Sequence, residues 1–246
     1  MSNPALREGI IEDSFNLLEN EHVSTVNGVI VKSCILGALC CLTFAYTWFL
    51  VLAGYIDKAV MLSRFGLIAG LVVALFVFFG PKNKFLAIST SLYSLCEGLA
   101  LGFISVLANK YYPGVASEAL LGTLIAFFVM FALYKIQVIR CTQKFRAVLI
   151  TSTFSIFVLY LLQFILGFFH IQIPFIFSNS PIGILFSVAV IIIASLNLII
   201  DFYNIEKFSH KTPSYFEWYF GFSLMVTIIW MYIEILNLLM KLQSRD

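Results

Sequence analysis

Charge is what this chain has least of. Lysine, arginine, aspartate and glutamate supply 11% of its 246 residues, against about 25% in an ordinary soluble domain, and a water-soluble fold is excluded. The charges present nearly cancel, 15 basic against 13 acidic for a net +2, so there is no basic surface of the kind nucleic acid needs. Histidine is scarcer still. His22, His170 and His210 fall outside or at the edge of the apolar runs, with no HExxH, no nucleophile motif and no acid at ligand spacing. No enzyme and no cofactor are expected. The five cysteines, Cys34, Cys40, Cys41, Cys96 and Cys141, show no CxxC or histidine-paired spacing and read as small hydrophobes rather than a disulfide frame or a metal site. The first thirty residues are polar and lack an apolar core, so no cleavable signal peptide is expected. The last apolar run has no central lysine for a retinal Schiff base and no NPxxY, which counts against a photoreceptor and a G-protein-coupled receptor.

What the chain has instead is hydrocarbon, 61% of its residues. Seven apolar stretches lie at roughly 33–54, 62–80, 85–108, 118–138, 146–169, 181–202 and 217–240. Each is about the twenty residues that a helix rising 1.5 Å per residue needs to cross a bilayer. The expectation is an all-α polytopic membrane protein: a polar cytoplasmic segment over 1–32, with a weak amphipathic pattern around Ile10, Ile11, Phe15 and Leu18, then one seven-helix bundle over 33–246. Short connections make sequence neighbours antiparallel neighbours, and the chain is expected to act as a monomer. Nine basic residues beside the spans fall on the N-terminal side (Lys32, Lys82, Lys84, Lys135, Arg140, Lys144, Arg146, Lys207, Lys211) and five on the other (Lys58, Arg64, Lys110, Lys241, Arg245). The N-terminus is therefore predicted to be cytoplasmic, with the C-terminus and the loop His170–Ser180 outside.

Three acids break the apolar runs. Asp201 ends the sixth stretch, Glu234 lies deep in the seventh, and Glu97 sits halfway along the third. An acid at the centre of a span costs roughly 2.5–3.5 kcal/mol on insertion scales, so such residues usually face a bundle interior and have a function. On the seventh stretch Ser223, Thr227, Trp230, Glu234, Asn237 and Lys241 recur at helical spacing, and on the sixth Asn197 lies one turn before Asp201. Both stripes look inward. Glu97, beside the small pair Gly98 and Gly102, is an inner polar contact, as are Asn197 and Asn237. The fifth stretch holds one polar residue, Gln163, and Tyr160 and Phe164 beside it look structural. Acids in such a place respond to pH, because burial and a neighbouring acid both oppose the charge, and when ionised they suit a hard cation such as Ca2+. Glu97, Asp201 and Glu234 converging in one bundle leave a proton-sensitive cation pathway and a proton-coupled transporter both open, with Ca2+ and protons as ligands.

The segments IASLNLIIDFYNIE, EWYFGFSLMVTIIWMYIEILNLLMKL and FGPKNKFLAISTSLYSLCEGLALGFIS resemble the Bax inhibitor-1 family, also called the transmembrane Bax inhibitor motif family. They look most like its bacterial branch. The resemblance implies a seven-helix fold with the last helix enclosed by the other six, and a pH-sensitive Ca2+ leak whose sensor is an acidic pair. Asp201 and Glu234 match the pair, and Lys82 or Lys84 in GPKNK occupies the region of the basic latch that closes the pathway. The chain departs from the family pattern in its glutamate at 234 and in a lysine latch, which lacks the fork of arginine. Asp201 and Glu234 are also 33 residues apart. With a turn near Lys211–Ser214, Glu234 lies about ten residues further from it than Asp201, roughly 15 Å of depth. Either the two meet because the last helix begins later or the sixth is displaced, or Glu217 near the turn substitutes as the partner. The alternative function is a non-conducting regulator that binds a membrane protease or cell-death partner through the acidic N-terminal segment (Glu8, Glu12, Asp13, Glu19). A bacterial inner membrane is the expected location and the endoplasmic reticulum the alternative.

Overall fold

Seven helices long and apolar enough to cross a membrane occur among the described residues, which in this computed structural model are 23–169 and 178–244. They are α1 (Val26–Leu52), α2 (Ile56–Phe79), α3 (Leu86–Tyr111), α4 (Val115–Lys135), α5 (Gln143–Phe168), α6 (Pro181–Phe208) and α7 (Phe216–Gln243). The chain is an integral multi-pass membrane protein. Phe49, Phe76, Phe128, Phe164 and Leu185 are each more than half exposed, a surface only lipid tolerates. The expectations for the N-terminal segment before Val23 and for most of the His170–Ser180 loop lie outside the described residues.

Five of the seven helices, α1, α2, α4, α5 and α7, begin earlier than the apolar runs. α1 starts at Val26 because Thr25 caps it, its hydroxyl accepting from Gly28 N at 2.9 Å, so seven residues assigned to the polar segment are helical. α2 starts at Ile56 and carries Asp57 and Lys58 in its first turn. Hydropathy marks where a helix enters hydrocarbon, and the backbone continues the helix past that point to the next cap.

Contacts divide the chain into two compact units. Among the described residues one comprises 112–169, 178–203 and 227–244; the other comprises 23–111 and 204–226. α6 and α7 contribute to both. α7 is the most enclosed helix, with 56% of its apolar stretch buried against 11% for α5.

In the unit of α1, α2 and α3, glycine sets the spacing. A Cβ on Gly102 would stand 2.7 Å from the Phe44 carbonyl oxygen of α1, and one on Gly66 of α2 would stand 2.5 Å from the Cys96 carbonyl oxygen of α3. Only a missing side chain lets these backbones approach so closely. Phe216, Tyr219, Phe220 and Phe222, at the start of α7, are fully buried in this unit. Phe222 meets Tyr93 edge-on at 4.8 Å and Phe78 at 5.2 Å. The segment before α1 is strapped to the turn between α6 and α7: Val23 bridges Pro213, Ser24 N donates to the Thr212 carbonyl at 2.8 Å, and His210 N donates to the Ser24 carbonyl at 2.8 Å.

In the other unit Phe202 of α6 is ringed by Phe127, Phe131 and Tyr134 of α4 at 5.4–5.8 Å. Asn197 ties α6 to α5 by donating to Thr153 Oγ1 at 2.9 Å. Gly122 of α4 leaves room for Ile235 of α7. At the far end of α7, Lys241 donates to the Gly183 carbonyl at 3.1 Å and Ser187 Oγ at 2.9 Å on α6.

Candidate functional site

The inward stripe of α7 meets both acids of this second unit, Asp201 on α6 and Glu234 on α7 itself. Asp201, 1% exposed, accepts a 2.6 Å hydrogen bond from Thr227 Oγ1. Glu234, 3% exposed, accepts at the same oxygen, Oε1, from Tyr160 OH at 2.7 Å and from Trp230 Nε1 at 3.1 Å. The spacing that places Thr227, Trp230 and Glu234 on one face explains why hydroxyl, indole and carboxylate all turn the same way.

Depth separates the two acids. Asp201 is level with Thr227, and Glu234 is seven residues further along α7, roughly 10 Å by helical rise. A Ca2+ ion holds its oxygens at about 2.3–2.6 Å, so the two carboxylates stand at successive levels rather than around a single ion. Among the described residues no group of three or more His, Cys, Asp or Glu is placed to hold a metal.

Glu234 walls a cavity of about 590 Å³ whose lining includes Tyr112, Tyr160, Phe164, Asn237 and Lys241. Both of its donors go to Oε1, and no described residue donates to Oε2. Tyr160, which looked structural in the sequence, is a direct hydrogen-bond partner of Glu234, and Gln163 and Phe164 line the same cavity. The signal was present: Tyr160, Gln163 and Phe164 are spaced i, i+3, i+4 and share a helix face. Lys241, counted in the sequence only as a basic residue beside a span, belongs to this cavity too.

A carboxylate held by neutral hydroxyl and indole donors has a particular chemistry. Proton uptake cancels its charge without stranding a buried counter-ion, whereas breaking a buried ion pair leaves one charge uncompensated.

The remaining predicted residues lie in the unit of α1–α3. Glu97 faces α2, its Oε1 positioned so that a Cβ on Gly70 would be 3.3 Å away. Glu217 spends Oε1 on the N-terminus of α1, accepting from Thr25 N at 2.9 Å and Thr25 Oγ1 at 3.2 Å, with Lys32 4.0 Å from Oε2. Lys82, in the connection after α2, donates to the carbonyls of Val77, Phe78 and Gly80 and lies 4.8 Å over the Tyr219 ring. It closes the C-terminus of α2, where a cation complements the helix dipole. Burial pushes its ammonium down to about 8. Lys84 is exposed.

The family described as Bax inhibitor 1 like matches residues 3–244, nearly the whole chain. No curated protein and no solved structure matches it.

Proposed function

We propose, from the premise that the chain belongs to the Bax inhibitor 1 like family, that this membrane protein forms a pH-sensitive leak for Ca2+ in which Asp201 and Glu234 act in series along α7. The observation that carries the proposal is the pair of almost fully buried carboxylates on membrane-spanning helices, each accepting from an uncharged donor, Thr227 for Asp201 and Tyr160 for Glu234. Buried acids within a span oppose insertion by kilocalories and are retained where they face a pathway.

In this reading an ion passes from one carboxylate to the next and is never held by both. Two weak sites in succession suit conduction, because an ion must be able to leave as well as enter. Protons compete with Ca2+ at each level, so the leak depends on pH. Ca2+ is the permeant ion and no resident cofactor is invoked. A bacterial inner membrane with the N-terminus cytoplasmic is the proposed setting.

The test is Ca2+ flux into proteoliposomes at several pH values, comparing the wild type with Asp201→Asn, Glu234→Gln and the double variant. Each single variant is expected to reduce the flux and flatten its pH profile, and the double variant to abolish the dependence. Unchanged flux with an unchanged profile in the double variant overturns the mechanism.

A further inference from the structure

The connection between α4 and α5 gathers charge of one sign. From Ala119 to Ile200 the chain holds no aspartate or glutamate, yet residues 135–146 carry Lys135, Arg140, Lys144 and Arg146. Arg146 turns towards α6, its guanidinium 5.7 Å from the centre of the Tyr203 ring. Lys135, Arg140 and Lys144 are exposed and pair with no acid among the described residues. Between these cations stand two branched apolar side chains, Ile136 and Val138, 68% and 64% exposed.

The backbone that presents them is held at both ends. Val138 N donates to the Leu133 carbonyl at 3.1 Å and Gln137 N to the Tyr134 carbonyl at 3.0 Å, closing α4 around Gln137 in the left-handed region at φ 56°. In such a cap the apolar residue after the left-handed position commonly packs back on the helix; Val138 occupies that position and stays exposed. α5 starts on Thr142, whose hydroxyl accepts from Phe145 N at 3.2 Å. Height follows from length. α4 has 21 residues, roughly 31 Å of helix, which is about the thickness of the hydrocarbon. Lys135, its last residue, therefore stands at the edge of the hydrocarbon, and Ile136 and Val138 stand where acyl chains meet headgroups.

A loop facing only water gains from its cations and loses by exposing isoleucine and valine. At the headgroup boundary both are favourable: apolar side chains enter the acyl region while cations above them attract anionic lipid, and four basic residues beside a span are drawn to a negatively charged leaflet. We infer that the α4–α5 connection is a docking surface for anionic phospholipid, with Ile136 and Val138 among the upper acyl carbons and Lys135, Arg140 and Lys144 on headgroup phosphates. The inference does not rest on the leak, because a protein that passes no Ca2+ can hold lipid here.

Ile136→Trp in a Trp48→Phe, Trp218→Phe, Trp230→Phe background makes the loop the one emitter and keeps the position apolar. Full-length protein is reconstituted in phosphatidylcholine bilayers with a rising fraction of phosphatidylglycerol or phosphatidylcholine brominated on the acyl chain, and quenching is followed. Brominated phosphatidylglycerol is expected to reach half-quenching at a fraction at least about fivefold lower, the contribution of one basic residue near an anionic surface, and added salt to shrink that ratio. Lys135→Gln, Arg140→Gln and Lys144→Gln together are expected to bring the ratio close to one, while Lys58→Gln with Lys110→Gln, in other connections, leaves it unchanged. If the triple variant does not fold, Arg140→Gln with Lys144→Gln decides, by a reduced ratio. No quenching by either lipid, equal quenching by both, or a ratio that the loop variants leave undiminished overturns the inference. Equal quenching together with binding of a soluble polyglutamate peptide that the loop variants lose would overturn it in favour of an acidic protein partner.

Discussion

Alanine at Gly28 and at Gly98 sets the same methyl group against two different obstacles, and the costs should differ accordingly. At Gly28 the three nearest atoms that a Cβ would meet all belong to the carboxyl group of Glu217. That group is the far end of a flexible side chain, so it swings away, and what is lost is its bonding to Thr25 N (2.9 Å) and Thr25 Oγ1 (3.2 Å) and its 4.0 Å pairing with Lys32. Hydrogen bonds to a charged group contribute about 1.5–3 kcal/mol, a partly exposed ion pair less than about 1, and alanine regains up to about 1 kcal/mol of helix propensity. The net loss is about 1–3 kcal/mol. At Gly98 the obstacles include the backbone carbonyl of Cys40, which no rotamer change can move. α1 must retreat from α3, and Gly102, with Phe44 oxygen 2.7 Å from its would-be Cβ, loses its contact as well. Overpacking of this kind costs about 1–3 kcal/mol and occasionally more, with propagation to Gly102 placing Gly98→Ala at the upper end. Thermal unfolding in detergent, followed by circular dichroism, should rank Gly98→Ala as the more damaging. The decisive arm is the double variant of Gly28→Ala with Glu217→Ala. If the methyl acts only by displacing the carboxylate, the double variant is no less stable than Glu217→Ala alone. Additive losses would refute the reasoning, because they would mean that the backbone at Gly28 is obstructed too.

Two further predictions concern single side chains. Thr227→Val removes the 2.6 Å donor to Asp201 and should lower stability by about 1.5–3 kcal/mol, whereas Thr227→Ser keeps the hydroxyl; equal melting of the two variants would show that this bond contributes nothing. Burial holds the Lys82 ammonium at about 8, below its ordinary 10.5, so the charged form opposes folding below pH 8 and that opposition is relieved as the pH rises from 8 towards 10.5. The stability difference between wild type and Lys82→Met should therefore move in favour of the wild type across this window, and a difference that is flat with pH would contradict the burial of the charge.

The spans were legible because hydrocarbon is enforced residue by residue: a stretch such as PIGILFSVAVIIIASLNLII has no alternative to a helix in lipid. The stripe on α7 was legible for the same reason, since Thr227, Trp230, Glu234 and Lys241 differ in kind from the leucines around them. Helix ends were not. Thr25 is one polar residue among several, and only the structure shows its hydroxyl on Gly28 N and its backbone on Glu217. Nor was the partner of Glu217, because nothing in a one-dimensional pattern relates residues 192 positions apart.

The offset of the acids shows why faces are easier to read than levels. Periodicity fixes the direction in which a side chain points, and it placed Asp201 and Glu234 on inward stripes. Level depends on where two antiparallel helices turn, and the sequence reading put the difference at about ten residues. The structure brings Asp201 beside Thr227 and leaves seven, roughly 10 Å. That remainder is what gives Glu234 its own surroundings. A glutamate at the level of Asp201 would share its environment and its protons. At the level it occupies, Glu234 meets Tyr160 and a cavity with Lys241 on its wall. The same displacement that separates the two acids therefore sets Glu234 against a cavity whose described lining does not include Asp201.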